Sequence, residues 1–192
     1  MLETSLFESE KVRLSPLSPE LDSPIIASWT YDLEFSRFFR SNPPRPLAVF
    51  EIKKQIEDWQ KKTEEKKCSY YFAIKLKKDD TPLIGIVRIP YVEWNNQFAT
   101  LSINIADKND EADYFQATVK LVLNFLFNEL NIHSAVVLSI ASDQDKTINE
   151  YIKAGFTIDT RLREAQYRDG KYLDELSLGM LRPEWEGKEK IK

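Results

Sequence analysis

Glycine is placed so sparsely along this chain that several folding devices are closed to it. The five glycines are Gly85, Gly155, Gly170, Gly179 and Gly187; none lies between residues 86 and 154, and no two are closer than eight positions. A GxGxxG dinucleotide turn, a Walker phosphate loop and a GxSxG nucleophile elbow all need clustered glycines, where the backbone turns sharply or approaches a ligand. None of them can be assembled here. A single Cys (Cys68) and a single His (His133) likewise exclude a Cys/His zinc site or a disulfide within the chain.

With 192 residues, 42% of them hydrophobic and 30% charged, the chain has the material for one core, and one domain over 1–192 is expected. Lys plus Arg is 27 against 31 Asp plus Glu, a net charge of −4. That lacks the basic excess from which non-specific nucleic-acid binding draws its affinity. The stretch Met1 to Glu10 is acidic and has no basic-then-apolar leader. No apolar run approaches the ~18 residues that span a bilayer. A soluble, cytoplasmic protein with neither a membrane nor a nucleic-acid partner is the expectation.

Periodicity sets the order of elements. Lys11 to Ser15 alternates polar and apolar side chains, a strand. Asp22 and Ser23 offer N-caps, with Pro24 in the first turn, for a helix through Trp29. Pro43, Pro44 and Pro46 force an extended passage. Val49 to Lys67 reads as a helix with Ile52, Ile56 and Trp59 on one face and i,i+4 pairs such as Lys53/Glu57 and Asp58/Lys62 outside. Tyr70–Leu76 and Leu83–Ile89 form a hairpin, and Phe98–Ile105 alternates as a third strand. Tyr114 to Leu130 is apolar on most sides and predicts a deeply buried helix. Ser134–Ile140 is a strand, and Asp145–Ala154 a short helix ended by Gly155 at C′. Phe156–Thr160 and Lys171–Gly179 complete an α/β layered domain with a mixed, mostly antiparallel sheet flanked by helices.

This order and its punctuation resemble the GNAT superfamily of acyl-CoA-dependent N-acetyltransferases, and within it the RimJ/RimL-type branch. The segment from Trp29 to Phe39 is similar to the branch's W-x-x-D-P-E-V-x-R-[FY]-[FL], with Leu33 in place of Pro. Tyr71-Phe-Ala-Ile74 and Leu83-Ile-Gly85 resemble its second and third strands, and Phe125 to His133 the end of its cofactor helix. Tyr151-Ile-Lys-Ala-Gly-Phe156 resembles Y-x-K-x-G-F, and Arg161–Tyr172 with Leu181–Trp185 the C-terminal signature.

The resemblance implies acetyl transfer from acetyl-CoA to a primary amine, either a protein N-terminus or a small molecule. It implies that the strand at Ile103, Asn104 and Ile105 splays from the strand ending at Ile140, that pantetheine lies in the gap, and that a backbone N–H there faces the thioester oxygen. Tyr151 matches the tyrosine that protonates the sulfur; read without the resemblance, it packs an amphipathic helix beside Ile148 and Ile152. Trp29, Asp32, Glu34 and Phe38 fall in the acceptor region, where carboxylates suit a cationic amine. A homodimer is compatible with this family.

The chain departs from the family at the loop [QR]-x-x-G-x-[GA], whose glycines and exposed N–H groups hold the cofactor's pyrophosphate. Asp110, Glu111, Ala112, Asp113, Tyr114 and Phe115 stand there instead. A carboxylate ~6 Å from a phosphate costs roughly 0.7 kcal/mol in water and under 3 kcal/mol at an effective dielectric of 20. Asp110 or Asp113 could equally cap the following helix, taking the place of the anion. The family asparagine that touches the cofactor is Gln144 here, and no base is evident, with Asp32, Glu34 and Glu93 the carboxylates on the acceptor side. Two readings follow: an active N-acetyltransferase with Tyr151 as acid, or a retired member of the fold acting as a binding or regulatory module.

Overall fold

The computed structural model describes residues 6–39, 43–77, 82–106, 111–141 and 145–189, and for Phe38, Glu111, Ser139, Ile140, Asp145, Lys188 and Glu189 the backbone alone. Strand β1 (Val12–Pro16) leads into α1 (Ser23–Trp29), α2 (Leu33–Phe39) and α3 (Val49–Lys66). Then come β2 (Tyr70–Leu76), β3 (Leu83–Glu93), β4 (Phe98–Ile105), α4 (Glu111–Asn124), β5 (Ser134–Ala141) and α5 (Asp145–Ala154). The hairpin β6 (Thr157–Arg168) and β7 (Lys171–Leu181) and a final α6 (Arg182–Glu189) complete the chain. The strands form one seven-stranded sheet in the order β1-β2-β3-β4-β5-β7-β6. Every neighbouring pair is antiparallel except β4 with β5.

Strand alternation sends side chains to two cores. On one face, α4, the turn after it and α5 bury Val119, Val122, Leu126 and Tyr151 against Val87, Ile103 and Leu178. On the other, α1–α3 bury Ile26, Phe35, Ile52, Ile56 and Trp59 against Ala73 and Ile86. The helix expected from Tyr114 begins at Glu111 and passes through a π-turn at Phe125–Glu129. A π-turn leaves carbonyls without their usual partners. Arg182 supplies donors, its Nη2 to Phe127 O and its Nε to Ile132 O at 3.1 Å. Among the described residues no helix is long and apolar enough to cross a membrane.

Some local expectations need correction. Asp22 sits at the N-cap of α1 but makes no side-chain cap bond. Its carboxylate instead accepts the Ser18 N–H at 2.7 Å and lies 3.6 Å from Lys75 Nζ. Lys53 pairs with Glu20 rather than Glu57, and the i,i+4 pair on α3 is Lys61–Glu65. Strands β6 and β7 run beyond the expected ends, to Arg168 and Leu181.

Candidate active site

Parallel pairing of β4 with β5 lasts only from Phe98↔Ser134 to Thr100↔Val136, although β4 continues to Ile105 and β5 to Ala141. The two strands therefore part after Thr100. A bulge stands on each side of the opening. Ile89 and Pro90 of β3 together oppose Leu101 of β4, and Leu138 and Ser139 of β5 oppose Ser177 of β7. Extra residues bend a strand and raise its twist, which turns β4 and β5 away from each other. Pro90, which has no N–H to give a ladder, is well placed at such a bulge.

Parting leaves backbone groups on β4 that need other partners. The Ile103 N–H donates to Tyr151 Oη at 3.0 Å. Tyr151 is 1% exposed. Its ring packs edge-on against Phe115 at 4.9 Å and Phe156 at 5.3 Å, so only the hydroxyl enters the splay. The packing read from sequence is seen in the ring, which is core, although Ile152 is exposed rather than beside it. Burial pushes the Tyr151 phenol well above its ordinary range, against the Ile103 N–H and the nearby Arg88 charge, which pull it down. The hydroxyl therefore keeps its proton at neutral pH.

Helix α5 is held in place from α4. Gln116 Nε2 donates to the Glu150 carbonyl and to its carboxylate, each at 2.8 Å. Gly155, at φ 108°, ends the helix in a conformation few other residues adopt, and its N–H donates to Tyr151 O at 3.1 Å. Gln116 had no sequence signal beyond being polar in an apolar helix.

Ile103 and Ile105 are buried, and Asn104 between them is half-buried. Ala106 N donates to Ile84 O at 2.8 Å, ending β4 close to where α4 starts. Asp113 lies inside α4 and pairs with Lys11, the residue before β1, so it does not cap the helix. Ala112 is exposed, while Tyr114 and Phe115 are buried with the core. Asp110, Gln144 and the side chain of Glu111 lie outside the described residues, as does the Phe38 side chain.

In the expected acceptor region, Trp29 packs edge-on to Phe35 at 5.3 Å. Asp32 caps α2 by accepting the Phe35 N–H at 3.0 Å, and Glu34 is exposed in the first turn. Glu93 pairs opposite Phe98, at the closed end of the β4–β5 opening, and is bound to Tyr91 Oη. That position removes Glu93 as a base for chemistry at Ile103.

The resemblance implied that β4 splays from β5, and their pairing ends after Thr100. The family model for the acetyltransferase (GNAT) domain matches residues 11–157. The chain belongs to the GNAT acetyltransferase family. Among curated relatives, this GNAT chain is similar to the spermidine N(1)-acetyltransferase of Vibrio cholerae, 26% identical over 92 residues. That match covers 48% of this chain and 53% of the relative, so it spans about half the relative's length. The GNAT fold is shared with a solved spermidine N-acetyltransferase from Vibrio cholerae in complex with CoA and spermine. Their TM-score is 0.75 at 20% identity, over 92% of this chain and 99% of that one. A probable acetyltransferase superposes with a TM-score of 0.78 at 17% identity, over 92% of this chain and 96% of that one.

Proposed function

We propose that this chain transfers an acetyl group from acetyl-CoA to the primary amine of a small molecule, with Tyr151 as general acid. The bond from Ile103 N–H to Tyr151 Oη carries the reading, because it puts a donor and a protonated acid together where β4 has parted from β5. Acetyl-CoA supplies an acyl thioester whose C–S bond breaks as the amine nitrogen bonds to carbon. The unpaired edge of β4 suits an extended amide-bearing arm, and the start of α4 at the open end suits an anion. Pairing of Asp113 with Lys11 offsets one of the acidic charges there. Tyr151 gives its proton to the departing sulfur, and the proton lost by the amine balances the step. A spermidine N(1)-acetyltransferase among the relatives favours the small amine over the protein N-terminus, the two acceptors the resemblance implied.

Tyr151→Phe is expected to lower kcat by at least about 100-fold, the lower range for a lost general acid, with acetyl-CoA affinity changed less than about twofold. Unchanged turnover in that variant removes Tyr151 from the chemistry. Because burial holds the phenol protonated, wild-type kcat should show no alkaline limb from this group below about pH 10. The second reading, a retired fold, is favoured by the acidic sequence Asp110–Asp113. Calorimetric titration with acetyl-CoA decides between them, and no binding at millimolar concentration establishes the retired fold.

A further inference from the structure

The sheet face opposite Tyr151 carries polar groups that the acyl-transfer step does not use. Ser102 and Asn104 flank Ile103 on β4, and alternation points them away from the α4–α5 layer in which Ile103 and Ile105 are buried. Arg88 stands opposite Ser102 in the β3–β4 register and opposite Tyr71 in the β2–β3 register. The Tyr71 ring stacks on Trp59 of α3 at 4.5 Å, which fixes this row on the α1–α3 side. Arg88 Nε donates to Ser102 Oγ at 3.3 Å. A guanidinium is thus held one residue from the N–H that meets Tyr151. Asn104 Oδ1 is buried with no hydrogen-bond partner among the described residues. An unmatched buried acceptor is rare, and one beside a reacting centre points to a donor brought by a ligand. Phe115, Tyr151 and Phe156 fill the other side of Ile103, so a nucleophile reaches the splay from the Arg88 side.

We propose that the acceptor is an amine that also carries a carboxylate, an amino-acid-like zwitterion, with its nitrogen at Asn104 Oδ1 and its carboxylate on Arg88 and Ser102. This rests on the acetyl-transfer reading of the splay. A neutral amine that donates one N–H to Asn104 Oδ1 keeps its lone pair for attack. A guanidinium matches a carboxylate in geometry and charge. The same cation repels the additional ammonium groups of a polyamine, so it selects by exclusion as well as by attraction.

Matched pairs that differ by one carboxylate test this: ornithine against putrescine, lysine against cadaverine, and alanine against ethylamine, with spermidine alongside. Acetylation is followed at saturating acetyl-CoA, and binding of the same amines is measured calorimetrically with CoA present, which reads recognition without turnover. In at least one pair the carboxylate-bearing member is expected to show the higher kcat/KM and the tighter binding. Arg88→Gln should abolish that preference, lowering kcat/KM for the favoured amine roughly 10- to 100-fold, the range for a lost charge-assisted hydrogen bond. Arg88→Lys should retain part of it. Equal binding within every pair, a wild-type preference for putrescine, cadaverine or spermidine, or an equal loss on all acceptors in Arg88→Gln overturns the proposal. Carboxylate-selective binding without transfer to any amine overturns the acetyltransferase reading and leaves the recognition site standing.

Discussion

A methyl group on Gly85 would meet the Asn104 carbonyl oxygen at 2.3 Å and Ile105 Cα at 3.1 Å. Both are backbone atoms of β4, so relief means moving the strand that carries Ile103 rather than rotating a side chain. Gly85→Ala is expected to cost about 1–3 kcal/mol, as overpacking does, and to lower turnover more than the fold loss explains. Denaturant midpoints and kcat on the folded variant check both, and an unchanged midpoint shows that β3 and β4 can separate freely. The sequence held Gly85 only as the last letter of Leu83-Ile-Gly85; its use depends on a strand 20 residues later. Tyr151 and Ile103–Ile105 were legible through their motif and strand. Arg88 and Gln116 were missed because single polar residues in apolar segments look like surface positions until the partner element is known. A lone cation inside Leu83–Ile89 was the available signal for Arg88.

Helix α3 starts without a side-chain cap, since its N-cap is Ala48. Glu51 reaches back to accept the Ala48 N–H at 2.9 Å and is gripped by Arg45 at 2.6 and 3.1 Å. Hydrogen bonding from Arg45, and then from the Ala48 backbone, holds the Glu51 carboxyl down to about 2. A carboxyl depressed in the fold stabilises in full above its unfolded value, roughly 4.3, and loses that contribution as pH falls through about 2. Amide protection factors at residues 48–52, taken against the intrinsic exchange rate at each pH, should therefore fall between these limits, while Glu51→Gln should show lower protection at neutral pH and no such acid step. A step of the same size in Glu51→Gln assigns it to other groups. Elements with a clean period, β2, β4 and α5, were readable from sequence to the residue. The seven-residue α2, short even with its local Asp32 cap, and the Pro- and Gly-containing α6 were not; α2 is fixed by packing of Phe35 and Phe39, and α6 by Arg182 on the π-turn carbonyls and Trp185 against Phe127 at 5.4 Å. Strand β6 was cut short at Thr160 because its further residues are exposed and charged, and only the ladder to β7 defines them.

The two sides of the open face are tied together by an ion pair. Arg37 of α2 donates to Asp169 in the β6–β7 turn, with Nη2 at 3.0 Å from Oδ1 and Nη1 at 3.5 Å from Oδ2. Helix α2 packs on the β1–β3 side through Phe35 and Phe39, while β6 is the opposite edge of the sheet. The hairpin tip therefore reaches back across the face that holds Arg88 and Asn104. Arg37 is 18% exposed and Asp169 58%, so the bond is worth little to the fold, about 0.2–1 kcal/mol as for other exposed pairs. Its leverage is on geometry. Arg37→Glu is expected to leave thermal stability within about 1 kcal/mol and acetyl-CoA affinity unchanged, but to raise KM for the amine several-fold. The reversed pair, Arg37→Glu with Asp169→Arg, should recover most of that loss, since a cycle isolates the coupling between two contacting residues. Recovery ties acceptor binding to closure across the sheet. If KM does not respond to Arg37→Glu, the hairpin tip takes no part in holding the amine, and recognition rests on the strands alone.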